Sequence, residues 1–297
     1  MQIEQEIRDF LMTRRARITP TQAGLPYVGG DRRVPGLRRE EVAMLAGLSV
    51  EYYTRMERGK IGGASEGVLD AIARVLELDV DERAHLDDLA RNVAPSPRRK
   101  PPVPASPISP SVQQVLDSMT VPAVVQNERL DILAANALGR ALYAPLFDGG
   151  QRPNFARFAF VDSRAAEFYT KLDAARDLCV AVLRATAGRN PLDQKTTELV
   201  GELSTRSDDF RQRWAKHNVH RHLRGQKIIN HPIAGRLDVT YNDFALPGDP
   251  HISITTYTAD PGTPSADNLT LLTTWVDTQA AAPATTSRTP TTARPPH

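Results

Sequence analysis

The chain has 297 residues, a net charge of only +2 and a single cysteine, Cys179. One cysteine excludes an internal disulfide, and the length is sufficient for two domains of ordinary size. No apolar run approaches the roughly 20 residues of a membrane span, and residues 1–6 do not open as a signal peptide, so we expect a cytoplasmic protein that does not enter a membrane.

The charge is unevenly distributed along the first 94 residues. Residues 1–60 carry 11 Lys/Arg against 8 Asp/Glu, whereas residues 61–94 carry 3 against 8. Such an asymmetry can orient a protein on a polyanion, although a mixed solvated surface would give the same counts.

Residues 3–92 have the pattern of an all-α domain of five helices. Apolar residues recur on one face of the first helix between Ile3 and Leu11. Residues 16–36 contain too many prolines and glycines for a regular element and are expected to form a loop. The fourth helix is expected at Ser65–Leu76, and a capping box at Asp79 and Glu82 begins a fifth.

The second and third helices are separated by one short turn. We place them at Glu40–Ala46 and Ser49–Arg58, with Gly47 supplying a positive φ at the turn. Ser49 is suited to cap the start of the second of these helices, and Gly59 to end it. This arrangement is a helix-turn-helix, whose second helix can enter a DNA major groove.

The outward face of that second helix supplies the candidate base-contacting residues. They are Ser49, Val50, Glu51, Thr54 and Arg55. Arginine can bond guanine, glutamate can accept from cytosine and valine can meet a thymine methyl, each for about 1–3 kcal/mol of discrimination. Plainer interpretations stay open: Val50 is incidental, Glu51 pairs with a neighbouring arginine, or Arg55 is merely solvated.

A second set of residues is expected at DNA phosphates. It comprises Arg32, Arg33, Arg38 and Arg39. Contacts of this kind provide affinity and salt dependence rather than sequence discrimination. Because one helix covers only a few base pairs, we also expect a homodimer that binds two half-sites of a double-stranded DNA operator.

Residues 37–59, LRREEVAMLAGLSVEYYTRMERG, resemble the Cro-type (XRE) helix-turn-helix family without a gap. Arg38 and Arg39 replace the Ser-Gln that is usual there, and the resemblance implies a phosphate contact at the glutamine position. It also implies a contact of Tyr52 with the DNA backbone. A sequence-specific transcription regulator is therefore expected.

Residues 93–110 form a Pro-rich linker, since seven of the 17 residues from 94 to 110 are proline. Residues 111–277 are expected to form a second, α+β domain, in which two strands precede a run of helices and antiparallel strands follow. The expected last strands are Val219–Leu223, Lys227–Asn230, Leu237–Phe244 and Ile252–Tyr257, with turns at Gly225, Gly235 and residues 246–249. Residues 278–297 are expected to be disordered.

The long first loop and several second-domain segments, among them Leu130–Asn136 and His231–Leu237, resemble the MmyB-like regulators. That resemblance implies a PAS-like ligand-binding domain with an antiparallel sheet and a small apolar or fatty-acid-like effector. The candidate ligand-binding residues are Trp214, His217, Arg221, Lys227 and Tyr241. Two alternatives stay open: the second domain only dimerises, or it holds a protein partner.

Other chemistry has little support in the sequence. His220 and His222 would share one face of a strand, but no third ligand is evident, so no metal site is expected. No nucleophile elbow, phosphate-binding glycine loop or zincin motif is present, so neither an enzyme nor a resident cofactor is expected.

Overall fold

The computed structural model describes residues 2–25, 34, 36–93, 108–148, 152–216, 224–246 and 249–281. Its N-terminal part contains the five expected helices, which pack around an apolar core. The helices are α1 Gln2–Arg17, α2 Arg39–Leu45, α3 Val50–Glu57, α4 Glu66–Val75 and α5 Val80–Val93. Phe10 of α1, Tyr53 of α3 and Leu86 of α5 are fully buried in this core.

The turn between α2 and α3 has the predicted geometry. Gly47 adopts φ 68°, a left-handed conformation that costs a glycine little. The Ser49 hydroxyl accepts a hydrogen bond from the Tyr52 N–H at 3.1 Å, which caps α3. Ala43 is fully buried between the two helices. The predicted helix-turn-helix is confirmed.

Residues 108–281 form the predicted α+β arrangement around one antiparallel sheet. The strands are β1 Ala123–Asn127, β2 Ile132–Ala135, β3 Arg224–His231, β4 Gly235–Leu246 and β5 Asp249–Thr258. Their order in the sheet is β2-β1-β5-β4-β3. The helices are α6 Pro110–Ser118, α7 Ala137–Leu142, α8 Ala144–Phe147, α9 Phe155–Val161, α10 Ala165–Phe168, α11 Leu172–Arg189, α12 Gln194–Arg206, α13 Asp208–Ala215 and α14 Pro264–Ala281.

The two faces of the sheet bury different groups. Val239 and Ile229 point into the large core beneath the helices, in which aromatic side chains from α9 and α10 meet. Val125 and Ile254 point to the other face, where Leu116 of α6 packs against them. Alternation along each strand thus places every second residue of β3 and β4 toward the helices.

Several sequence-based expectations for this domain are wrong. Helices α6, α8, α9 and α14 were not predicted, and α14 extends through residues 278–281 of the tail that we expected to be disordered. Its threonine-rich sequence has weak helix propensity, but it packs on β4 and α7 and buries Leu272 completely.

Gly225 lies inside β3 rather than at a turn. It sits opposite Tyr241, where a Cβ would clash with the tyrosine hydroxyl at 2.7 Å. The glycine is needed there for close packing. The predicted strand Val219–Leu223, most of the linker and residues 282–297 lie outside the described residues.

Candidate DNA-binding surface and ligand cavity

Helix α3 presents the candidate base-contacting residues on its outer side. Ser49, Val50, Glu51 and Arg55 are exposed and Thr54 is half-buried. The Arg55 guanidinium lies 5.1 Å from the centre of the Tyr52 ring. This contact restricts a flexible side chain on a surface that is otherwise open to solvent. Within the described residues, Glu51 takes part in no salt bridge, so nothing there competes with a base for it.

A buried ion cluster holds the helix-turn-helix together from beneath. The Glu57 carboxylate, 1% exposed, accepts hydrogen bonds from Arg15 of α1 at 2.8 and 3.0 Å and from Arg39 of α2 at 2.9 Å. Burial alone would raise the pKa of Glu57, but the two guanidinium groups outweigh it and lower that pKa. The Glu57 cluster, defined by these three residues, therefore ties α1, α2 and α3 into one platform.

The candidate phosphate-contacting residues are not equivalent in the structure. The Arg39 side chain is 43% exposed although it is bonded to Glu57, so it retains donors that face solvent. The Arg38 side chain is 45% exposed and lies 3.4 Å from Glu40. Tyr52 is half-buried beside Arg55. Arg32 and Arg33 lie outside the described residues.

The C-terminal domain contains a partly open cavity of about 240 Å³ between the sheet and α11. Helix α11 contributes an apolar wall whose members recur at helical spacing: Ala175, Leu178, Cys179 and Val182. The sheet contributes Lys227, Tyr241 and Tyr257 from three adjacent strands. The cavity is thus apolar on the helix side and carries one ammonium group on the sheet side.

The Lys227 amino group is surrounded by aromatic rings. Its Nζ lies 4.9 Å from the ring centre of Tyr241, 5.3 Å from Phe155, 5.7 Å from Tyr257 and 6.0 Å from Tyr143. Among the described residues, it forms no salt bridge. Burial lowers the pKa of Lys227 to about 8, a shift that the more distant Cys179 and Asp243 only partly oppose.

Several other polar groups of the cavity are already bonded. The Asp243 carboxylate accepts a hydrogen bond from the Thr255 hydroxyl at 2.6 Å, and Thr255 accepts one from Gln126 at 2.9 Å. At the opposite edge, Arg189 lies 2.8 Å from Glu128. Arg189 and Glu128 thus neutralise each other, whereas Asp243 is held by neutral donors and Lys227 has no salt bridge among the described residues.

The predicted ligand-binding residues separate into three groups. Lys227 and Tyr241 line the cavity. Trp214 does not line it but stacks on Phe210, with ring centres 5.5 Å apart. His217 and Arg221 lie outside the described residues, as do the histidines at 220 and 222 that were considered for a metal.

Most of the residues that surround the cavity were not predicted as a site. Phe155 was assigned to the ordinary core, Tyr143 and Tyr257 were not singled out, and Cys179 was considered only as a disulfide and metal candidate. One signal was available: Lys227 lies in phase with the buried Ile229, so it had to face the helices if β3 was placed correctly. Burial raises the pKa of the Cys179 thiol to about 12, so this cysteine acts as an apolar wall residue.

The described residues also lack two kinds of feature. None of the helices in the described ranges combines the length and apolar character that a membrane span requires. The same ranges contain no group of three or more His, Cys, Asp or Glu side chains arranged for a metal ion.

Comparison with known families agrees with this division of the chain. A family model described as the MmyB-like transcription regulator ligand binding domain matches residues 108–272, more than half of the chain. A second model, described as a helix-turn-helix domain, matches residues 10–86. No curated protein matches the sequence significantly.

Proposed function

The chain belongs to the MmyB-like transcription regulators, and we propose that its effector is a small amphipathic acid whose carboxylate binds Lys227. Its helix-turn-helix domain makes it a DNA-binding regulator, and its ligand-binding domain makes it responsive to a small molecule. The finer proposal concerns the chemistry of that molecule.

The environment of Lys227 is the observation that carries this proposal. Lys227 is half-buried, and an ammonium group partly removed from water is costly unless it gains partners. Four aromatic rings compensate part of that cost through cation–π attraction. A carboxylate would supply the full opposite charge and a charge-assisted hydrogen bond.

The size and the walls of the cavity support a short apolar tail. Its volume of about 240 Å³ exceeds that of a ~150 Å³ apolar cavity that accommodates benzene in another protein. Leu178 and Val182 of α11 offer apolar contact along one side. A medium-chain fatty acid matches this combination of charge and surface, whereas a domain built only for dimerisation or for a protein partner does not require such a cavity.

Calorimetric titration with decanoate tests the proposal. Decanoate should bind the wild type, and the uncharged decanol should bind more weakly. Lys227→Met should lower the affinity for decanoate about 10- to 100-fold, since a hydrogen bond to a charged group contributes about 1.5–3 kcal/mol. Affinity for decanol should change little.

Two results would contradict this assignment. The carboxylate assignment fails if Lys227→Met binds decanoate as tightly as the wild type. The ligand class is wrong if neither compound binds the wild type. Arg211→Met is the matched control, because Arg211 is exposed on α13 and bonded to Asp208, outside the residues that line the cavity.

We also propose that the regulator binds its operator as a homodimer through α3 of each copy. Binding of the effector would then bias the equilibrium between arrangements of the two DNA-binding domains. The support is the short recognition surface, since specific regulators of this type read two half-sites about one helical turn apart. Light scattering of the complex with a selected operator measures how many copies of the protein bind each DNA duplex. Two copies per duplex are expected, and one copy would contradict the homodimer.

A further inference from the structure

Helix α11 has two functional faces. The residues that line the cavity, Ala175, Leu178, Cys179 and Val182, share one side of the helix. Arg184 and Gly188 lie on the side away from the cavity and, together with Ala185, contact the N-terminal domain. One rigid helix therefore separates the proposed effector site from the DNA-binding domain.

Arg184 is the centre of this contact, which we call the α11 joint and define by Glu6, His85, Asn92, Arg184 and Gly188. The Arg184 side chain is fully buried and forms an ion pair with Glu6 of α1. Its guanidinium also lies 4.1 Å from the centre of the Trp214 ring and donates to the Trp214 carbonyl. Arg184 thus connects α1, α11 and the end of α13.

The remaining members of the joint pack closely. A Cβ on Gly188 would collide with the His85 ring, which is buried at 2% exposure. The Asn92 amide at the end of α5 donates to the carbonyl oxygens of Gly188 at 2.7 Å and Arg189 at 3.3 Å. Ala185 of the second domain belongs to the apolar core of the first. Such close packing resists relative rotation of the two domains.

The α11 joint is adjacent to the cavity, because Arg189 follows Gly188 directly in the chain. Asn92 holds the backbone of Arg189, and the Arg189 side chain lines the cavity, where it pairs with Glu128 at 2.8 Å. Thr186, one turn earlier, donates to the Glu128 carbonyl at 3.0 Å. A continuous chain of contacts therefore runs from the edge of the cavity to α5.

We propose that α11 transmits occupancy of the cavity to the helix-turn-helix domain, with Arg184 and Asn92 as the positioning residues that fix the two domains to each other. The ligand response in this proposal rests on the proposed function. The contact between the two domains does not depend on it. A change of ligand state that shifts or stiffens α11 moves a DNA-binding domain that is bonded to the same helix.

The first test needs no ligand. Scanning calorimetry of the wild type should show one unfolding transition, because the joint couples the two domains. The double variant Arg184→Met/Asn92→Ala should show two. Methionine retains apolar volume over Trp214, and Glu6 is 26% exposed and can be hydrated once its partner is removed. Arg206→Met, an exposed change on α12 that breaks only a contact with Glu202, should retain one transition.

The second test adds decanoate and an operator obtained by binding-site selection. In the wild type, saturating decanoate should change operator affinity at least about fivefold, the lower end of typical coupling between sites. In the double variant, the ratio of operator affinities with and without decanoate should fall toward one. The affinity for decanoate itself should stay within about twofold of the wild type. Asn92→Ala alone should reduce the ratio partially, which guards against a variant that fails to fold.

The possible outcomes separate the two proposals. Two transitions in the wild type, or one in the double variant, would overturn the joint whatever the ligand does. If the double variant shows two transitions but decanoate still changes its operator affinity as in the wild type, the joint has no role in transmission. If decanoate binds the wild type but leaves its operator affinity unchanged, transmission through the joint is overturned. If decanoate does not bind, the proposed effector is wrong, and scanning calorimetry still decides whether the joint couples the domains.

Discussion

The two functional regions of this molecule place their charges in opposite ways. In the helix-turn-helix domain, the buried charge of Glu57 is neutralised from within by Arg15 and Arg39, and Arg55 faces solvent. In the ligand domain, Lys227 points inward among aromatic rings, and no described residue forms a salt bridge with it. The Glu57 charge is neutralised before DNA binds, whereas the Lys227 ammonium has no salt bridge among the described residues.

This difference follows from what each region binds. A DNA duplex is a large polyanion that meets a protein at its surface, so the cations can stay hydrated until contact. A small acid is enclosed, so its partner must already be desolvated. An internally neutralised cluster gives rigidity to a surface, and an unmatched charge gives selectivity to a cavity.

The largest expected effect tests whether the Glu57 cluster is a structural platform. Glu57→Ala would leave Arg15, whose side chain is 11% exposed, without its carboxylate partner. Removal of one member of a buried ion pair costs about 3 kcal/mol. Urea denaturation followed by far-ultraviolet circular dichroism should show this loss. Glu51→Ala, exposed on the same helix, should change stability by under ~0.5 kcal/mol; equal effects of the two variants would contradict the platform.

The next effect concerns the outward face of α3. Arg55→Ala should relax sequence discrimination at one operator position by about 2 kcal/mol, because Arg55 is expected at a base edge. Binding-site selection with the variant and the wild type measures this change. An unchanged preferred sequence would show that Arg55 is only a solvated surface residue. Arg58→Ala, one residue beyond α3, is the matched control.

A smaller effect follows from the pKa of Lys227, about 8. Decanoate stays ionised at neutral and alkaline pH, whereas the lysine loses its proton as the pH rises through 8. Affinity should therefore be nearly constant between about pH 6 and 7, where both groups are charged, and fall about tenfold between pH 7 and 9. Calorimetric titration across this range measures it. Lys227→Met should abolish the dependence, and a wild-type affinity that rises with pH would contradict the assignment.

The smallest effect separates the two contacts expected of Arg39. Its side chain bonds Glu57 yet is 43% exposed. Arg39→Ala should lower affinity on all DNA sequences and reduce the slope of log affinity against log salt by about one unit. Arg39→Lys retains the charge and should preserve most of the slope. If Arg39→Ala destabilises the domain but leaves the slope unchanged, Arg39 belongs only to the Glu57 cluster.

The N-terminal domain was predicted more accurately than the second domain, because its main features depend on residues that are close in sequence. Gly47, Ser49 and the Asp79–Glu82 capping box act over a few residues, so their geometry was predictable and is confirmed. Helix α14 was missed because only its packing on β4 and α7 stabilises it. Gly225 was wrongly assigned to a turn, because the side chain that it packs against, Tyr241, is sixteen residues away.

The sequence by itself determined the helix-turn-helix, its exposed charges and the α+β class of the second domain, because spacing and caps are local properties of the chain. Only the tertiary structure decided that Lys227 is enclosed by four rings and that Arg184 joins α11 to the first domain. Both depend on contacts between elements that are distant in sequence. Burial, which sets the pKa of Lys227 and the strength of the Arg184 ion pair, exists only once those elements have packed together.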